Sequence, residues 1–428
     1  METATEERGD TVTPDGARVV IVGAGFAGGS FLRHLPSSLK RPGGTLLVDR
    51  GEEYEFVPLI HEAAVGRVHP KSLRTPVASL SGAPYRILRS EATGVDLRNN
   101  YLLTSSGPVK YGYLVLAPGS VADLPPESLS DYLESFWSLA DALHLRDTLN
   151  AAWQSALRRE SRPGALTVAI VGGGATGVEL AAEIAVLFDY LRKRSVRSLA
   201  EEPRVVLLEA TDRLMGWLGP YFHETAVEEL TRLGAEVRLN APVTGADEEG
   251  VEAGGEWVQA ATRVWATGAR ANPLVTALPV AHDEVGRVAV SEHLTLLDHP
   301  QVYVLGDSAR YEDSRQGGPL PPTASVAVQQ GPYVAGDVGR RLWGAPEERR
   351  PPFEFFDRGY AVSLGPESAV ANPLGVKFKG RAAQALYRSV LLYYMRSSRG
   401  RLLTGADWAM ERTLGRVGFH DGRPKVPR

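Results

Sequence analysis

There is no cysteine among the 428 residues. That excludes disulfides, cysteine metal sites, a thioredoxin-like redox pair and any thiol nucleophile. Long apolar runs are missing as well, and none approaches the roughly 18 uninterrupted apolar residues of a membrane span. The first 17 residues are polar and acidic and lack the basic-then-apolar order of a secretion signal. They read as a disordered lead-in to an intracellular protein. Net charge is small, −4, but unevenly spread. Residues 377–428 carry twelve Lys or Arg against three acids, a net +9 that leaves −13 on the preceding 376 residues. An acidic body with a basic end predicts an anionic partner for that end.

What is present is an ordinary soluble composition, 43% apolar and 23% charged, in a chain long enough for two or three domains. Two glycine fingerprints organise it. In the first, the apolar run Arg18–Val22 leads into Gly23-x-Gly25-x-x-Gly28, a helix follows from about Ala27 to Leu35, and Leu46–Val48 reads as a second strand. Asp49 ends that strand, 21 positions after Gly28, where an acid binds the ribose of a dinucleotide. In the second, Leu166–Val171 leads into Gly172-x-Gly174-x-x-Gly177 and a helix reaching about Arg194. Strand Arg204–Leu208 then ends in Glu209, 32 residues beyond Gly177. The surplus over the usual ~20 is the charged segment 192–203. Arg213 stands nearby, but acid at the strand end favours NADH over NADPH. In each fingerprint the glycines let the backbone approach a pyrophosphate, and the helix start offers free N–H groups to it.

Residues 54–70 have few periodic cues, 85–117 read as a meander of short strands, and 138–158 have helical spacing. Later, Val302–Asp307 reads as a buried strand ending in Gly-Asp, re-entering the first domain, and a Pro-led helix begins near Thr323. A small β unit is expected over 353–364 and 368–370. Two amphipathic helices follow, 380–396 and 402–414, whose basic residues and aromatics (Tyr387, Tyr393, Tyr394, Trp408) suit a membrane surface.

Two dinucleotide sites in one chain allow one cofactor to pass electrons to the other. With the segments Phe56–Ile60, Leu116–Gly119, Val171–Ala185, Trp265–Gly268, Leu305–Ser308 and Pro321–Gly331, the chain resembles the two-dinucleotide-binding-domain flavoproteins. Within them it resembles the type II, non-proton-pumping NADH:quinone oxidoreductases. That resemblance implies an α/β fold of two Rossmann-like domains plus a small C-terminal domain. The FAD-binding domain would take residues 18–160 and 276–350, the NADH-binding domain 161–275, and the C-terminal β unit and membrane helices 351–428.

It implies FAD at Gly23, Gly25, Phe26, Ala27, Gly28, Asp49 and Arg50, with Pro58, Ala117, Gly119, Gly306, Asp307 and Ala324 also against it. NADH would lie on Gly172, Gly174, Ala175, Thr176, Gly177 and Glu209, with Thr267 and Gly268. Glu179 would sit near the nicotinamide and flavin, Gln329 and Gln330 at the quinone, and Lys379 before the C-terminal helix. The first glutamine of the family's quinone motif is Ser325 here, and Pro118 replaces the usual Thr of its turn. The expected partners are NADH, a quinone and an anionic membrane surface at the cytoplasmic face, with no nucleic acid. A homodimer is compatible with the sequence. Sulfide:quinone and disulfide reductases need the cysteines this chain lacks. A ferredoxin-type reductase or a flavin-binding redox sensor of the apoptosis-inducing-factor type is the alternative.

Overall fold

The computed structural model describes residues 17–41, 43–80, 86–195, 199, 201–346, 349–414 and 419, without the side chains of 411–414. The acidic lead-in before residue 17, part of the charged segment after Arg194, and the last basic residues (Arg416, Arg423, Lys425 and Arg428) lie outside them. By contact the chain divides into two units. One comprises Met1–Tyr54, Pro76–Ser120 and Arg270–Phe356; the other comprises Glu55–Thr75, Val121–Ala269 and Asp357–Arg428.

In the first unit, strand Ala17–Val22 is aliphatic and covered on both faces from Val19 to Val22, as a central parallel strand requires. It pairs in parallel with Thr45–Asp49 on one side and with the far end of Gly107–Leu116 on the other. Arg86–Arg89 and Val302–Val304 extend the sheet outward from those neighbours, also in parallel. The near end of Gly107–Leu116 folds back antiparallel on Tyr101–Thr104, which pairs with Ala92–Asp96. The return strand thus adds to the first sheet, as its apolar run and terminal Gly-Asp predict.

Helices Phe26–His34 and Ala324–Leu342 pack closely in this unit. At their crossing a Cβ on Gly331 would lie 2.6 Å from both the Ala27 carbonyl oxygen and the Phe31 nitrogen.

The second unit is built around Thr167–Val171, in a five-stranded parallel sheet. Its order is Glu134–Ser135, Thr262–Trp265, Thr167–Val171, Arg204–Leu208 and Glu236–Arg238. Helix Leu139–Arg158 starts on a reciprocal cap between Ser138 and Asp141 and stacks Trp153 on Phe188 of helix Ala175–Arg194. A small antiparallel sheet of Ala361–Ser363, Ala369–Ala371 and Phe378–Gly380 precedes helices Arg381–Tyr394 and Ser398–Leu414.

Two expectations change. Residues 353–360 form no strand, because Phe353 packs edge-on against Tyr311 and Tyr333 instead of entering a ladder. The third strand of the small sheet is Phe378–Gly380. Residues 55–75 and 121–160, read as part of the first domain, cluster with the second unit. The physical reason is the buried helix Ile60–Ala64, which packs on Leu139–Arg158 and Ala175–Arg194. Among the described residues no helix is long and apolar enough to cross a membrane.

The helix crossing in the first unit generates a stability prediction. Gly331→Ala should destabilise the protein by about 1–3 kcal/mol, because backbone rather than a yielding side chain opposes the added methyl. Thermal unfolding should show a lowered midpoint, and an unchanged midpoint would refute the close crossing.

Candidate active site

The two glycine turns are built alike. Gly23 and Gly172 take φ values of +88° and +111°, open to glycine at little cost. A Cβ on Gly28 would stand 1.9 Å from the Gly23 carbonyl oxygen, and one on Gly177 would stand 1.9 Å from that of Gly172. The third glycine of each fingerprint is therefore fixed by packing of helix on turn. At Gly25 and Gly174 a Cβ would meet nothing within 4 Å. These helix starts, carrying Phe26 and Ala27 in one unit and Ala175 and Thr176 in the other, have no side-chain cap and open space at their first residues, Gly25 and Gly174. That is the cradle a pyrophosphate fits.

The acids also correspond. Asp49 accepts hydrogen bonds from the nitrogens of Ala24 and Gly51, each at 2.8 Å. Glu209 accepts from the Gly173 nitrogen at 2.7 Å and from the nitrogen and hydroxyl of Thr211, each at 2.8 Å. Each carboxylate braces its glycine turn from the end of the strand that leads away from it. Arg50 faces solvent near Glu91, and Arg213 is half exposed beside Asp212. Gly268 has φ +119°, and the neighbouring Thr267 hydroxyl is buried without a partner among the described residues. It is free to meet a ligand.

Around the first turn, Gly306 and Asp307 form a tight turn packed against Ala27 and Ala327. Asp307 accepts from the Ser120 hydroxyl at 2.6 Å, and burial raises its pKa against that bond. The Ser308 hydroxyl donates to the Gly119 carbonyl at 2.9 Å. The Ala117 carbonyl closes on Gly23, so Leu116–Gly119, the first fingerprint and the Gly-Asp turn converge.

Ala324 opens its helix, whose start is capped by Thr323. Gln330, expected at a quinone, is 1% exposed, and its amide oxygen accepts from the Gly306 nitrogen at 2.6 Å. It holds the turn that presents Asp307. Gln329 bonds both backbone groups of Phe356 at 3.1 Å and retains a half-buried face. The Ser325 hydroxyl is buried without a partner among the described residues. Pro58 lies in the turn Val57–Leu59 of the second unit, and Lys379 is on the surface, paired with Glu228 at 2.5 Å.

The densest chemistry surrounds Glu179, two residues past Gly177. Its side chain is 13% exposed and accepts from the Ser363 nitrogen at 3.1 Å. Burial pushes its pKa up to about 8, against the hydrogen bonds from Ser363 and the Tyr387 hydroxyl. The helix start would favour the carboxylate, but desolvation outweighs it. His61 Nδ1 lies 3.6 Å from the other carboxylate oxygen, and burial drives His61 down to about 4, so the ring is neutral at pH 7.

One turn along the same helix, buried Glu183 pairs with Arg67, which also lies 3.5 Å from Glu62. Burial opposes ionisation of Glu62, but Arg67 prevails and keeps its carboxyl below the ordinary range. Trp408 Nε1 donates to Glu62 at 2.6 Å. Asp407 accepts from the Ser72 hydroxyl at 2.7 Å and the His69 nitrogen at 3.0 Å, while Arg388 lies over the Trp408 ring.

His61, Glu62, Arg67 and Glu183 escape the sequence reading, and the C-terminal helices contribute Tyr387 beside Glu179 and Trp408 beside Glu62. The one trace in the sequence was His, Glu and Arg within a largely apolar stretch, which marks unusual residues but not their partners.

Between its ordinary 4.5 and about 8, Glu179 holds a proton in the folded protein that the unfolded chain releases. Stability therefore falls as pH rises through that window. His61 acts in the opposite sense between 6.5 and about 4, so above 6.5 only the Glu179 slope remains of the two. Glu179→Gln should flatten the decline in thermal midpoint between about pH 6.5 and 8. An equal decline in both proteins would contradict a protonated Glu179.

The sequence profile of the pyridine nucleotide-disulphide oxidoreductases matches residues 17–331. The chain is 30% identical over 414 residues to a Mycobacterium tuberculosis protein named type II NADH:quinone oxidoreductase Ndh, covering 92% of this chain and 87% of that one. A Staphylococcus aureus type II NADH:quinone oxidoreductase is 27% identical, covering 86% and 92% respectively. In fold the chain is similar to NDH2 from Plasmodium falciparum, solved with NADH, at a TM-score of 0.83 and 17% identity, covering 95% of this chain and all of that one. It is also similar to sulfide:quinone oxidoreductase from Aquifex aeolicus, at a TM-score of 0.73 and 16% identity, covering 93% and 95%. Two glycine turns with their acids, a buried carboxylate behind the second, and kinship over nine-tenths of the chain agree. The chain belongs to the pyridine nucleotide-disulphide oxidoreductase family and, within it, to the type II NADH:quinone oxidoreductases.

Proposed function

We propose that the protein moves hydride from NADH to FAD and two electrons onward to a membrane quinone, without pumping protons. The observation that carries this reading is the duplicated glycine turn, each braced by its own strand-end acid, in a chain with no cysteine to serve as an alternative electron carrier. FAD would rest on Gly23–Gly28, with Asp49 at its ribose and Asp307 toward its ribityl chain. NADH would rest on Gly172–Gly177, with Glu209 at its adenosine ribose. The bound flavin supplies the redox chemistry. The protein's residues bind, orient and manage protons. A neutral Glu179 can donate a proton where a carboxylate cannot, and Tyr387 and the Ser363 nitrogen fix its orientation. Steady-state NADH oxidation with a soluble quinone tests the reading, and negligible turnover would overturn it.

A membrane quinone is lipid-soluble, so the proposed reaction calls for docking at a membrane surface. Leu402, Tyr393 and Met410 are 76%, 66% and 42% exposed on the last two helices, with Arg396, Arg399 and Arg401 nearby in sequence. This combination suits peripheral docking on anionic lipid at the cytoplasmic face. Removing the whole tail would also remove Tyr387 and Trp408 from the buried site, so point changes discriminate better. Leu402→Glu with Tyr393→Ser should weaken co-sedimentation with anionic liposomes at least about tenfold while sparing soluble-quinone activity. Unchanged co-sedimentation would move the anchor elsewhere.

For nucleotide choice, Glu209→Gln retains an oxygen for the glycine turn but removes the charge that repels a 2′-phosphate. The NADH-to-NADPH ratio of kcat/KM should fall about tenfold or more. An unchanged ratio would remove Glu209 from that role.

A further inference from the structure

We propose that His61 is a positioning residue that returns protons to Glu179 during turnover. The inference rests on the NADH:quinone reading and deepens it. NADH plus quinone gives NAD⁺ plus quinol with net uptake of one proton: NADH yields two electrons and one hydrogen, and quinol carries two hydrogens. The second hydrogen must enter from water through the protein. Glu179 stands two residues past the second glycine turn with a side chain only 13% exposed, which restricts its direct exchange with solvent.

The neighbours of Glu179 differ in what they can supply. The Ser363 group is a backbone amide, which holds a carboxyl oxygen but does not exchange a proton during turnover. Burial first, and Glu179 next, raise the proton affinity of Tyr387 far above that of a free phenol, so its hydroxyl orients without releasing. Glu62 and Glu183 act on the site through charge, and both are tied to Arg67. Arg388 and Trp408 face Glu62 from the C-terminal helices.

His61 alone among these presents one nitrogen to Glu179 and a second nitrogen elsewhere. Nδ1 is 3.6 Å from Glu179 Oε2, beyond a hydrogen bond but within reach of a small side-chain rotation. Nε2 is buried and has no partner among the described residues, which leaves it for a water. Because the ring is neutral, one nitrogen can donate while the other accepts. After Glu179 gives its proton to the reaction, the Nδ1–H bond of His61 breaks and an O–H bond forms at Oε2. Nε2 takes a proton from water in the same step, the hydroxide so formed is neutralised from bulk water, and a flip of the neutral ring restores an N–H toward Oε2, so the ring stays uncharged throughout.

The test uses the flavin-loaded enzyme with His61→Gln and His61→Phe, in rapid-mixing experiments that separate the two half-reactions. Gln keeps a polar side chain and protects folding; Phe keeps the ring shape. Reduction by NADH should stay within about twofold of the parent, while reoxidation by quinone slows at least about tenfold in both variants. The solvent deuterium isotope effect on that half should rise. Infrared titration of the Glu179 carboxyl, read without turnover, should still show it protonated at neutral pH in both. Equal slowing of both half-reactions would overturn the relay and leave His61 a packing role. Unchanged reoxidation would show that Glu179 exchanges directly with solvent and also overturn it. If the parent enzyme itself fails to reduce quinone, the functional reading fails rather than the relay.

Discussion

The approach of backbone to backbone at the two helix starts is the constraint on which the rest depends. At Gly28 and Gly177 the helix lies so close to the preceding turn that any side chain would collide with a carbonyl. That closeness aims the first N–H groups of each helix outward past Gly25 and Gly174. It also leaves the turn needing a brace, which Asp49 and Glu209 provide through their carboxylates. Strand, glycine turn, helix and acid therefore form one mechanical unit, used once in each half of the chain. Gly331 applies the same logic at a distance, letting the later helix seat against Ala27 and Phe31. Gln330, its neighbour, then reaches the Gly306 nitrogen and sets the turn carrying Asp307.

The second constraint is electrostatic. A helix start normally favours an ionised acid, yet Glu179 is held neutral because its surroundings exclude water more effectively than its hydrogen bonds compensate. Close by, Glu62, Arg67 and Glu183 are buried together, with Trp408 adding a donor from the last helix. A buried arrangement of this kind is a costly way to gain stability, because desolvation offsets attraction, but it fixes geometry firmly. Its consequence is that the C-terminal helices complete the polar surroundings of Glu179 as well as offering an outer apolar face.

Much of this was legible in the sequence because the physics is local. Positive φ and close approach demand glycine at short spacing, and an acid at the strand end follows within one βαβ unit, so both turns, Asp49 and Glu209 could be read directly. The return of Val302–Val304 to the first sheet was legible from its apolar run and Gly-Asp ending. The segment 55–75 was not legible. The partners of His61, Glu62 and Arg67 are Glu179, Glu183 and Trp408, more than a hundred residues away, and no periodicity encodes such pairs. The glutamine motif was visible as a pattern, but only the packing shows that Gln330 and Gly331 are committed to the turn and the helix crossing. Residues 353–360 misled because alternating aromatics suit a strand as well as they suit a packed loop.

Electron flow from NADH at one nucleotide site to a flavin at the other is what the paired turns are proposed to carry. Anaerobic titration of the purified, flavin-loaded protein with NADH, followed by visible absorbance, tests it most directly. The flavin spectrum should bleach fully at about one NADH per chain, since a flavin accepts two electrons. A protein that carries no flavin, or whose flavin absorbance is unchanged by excess NADH, would contradict it.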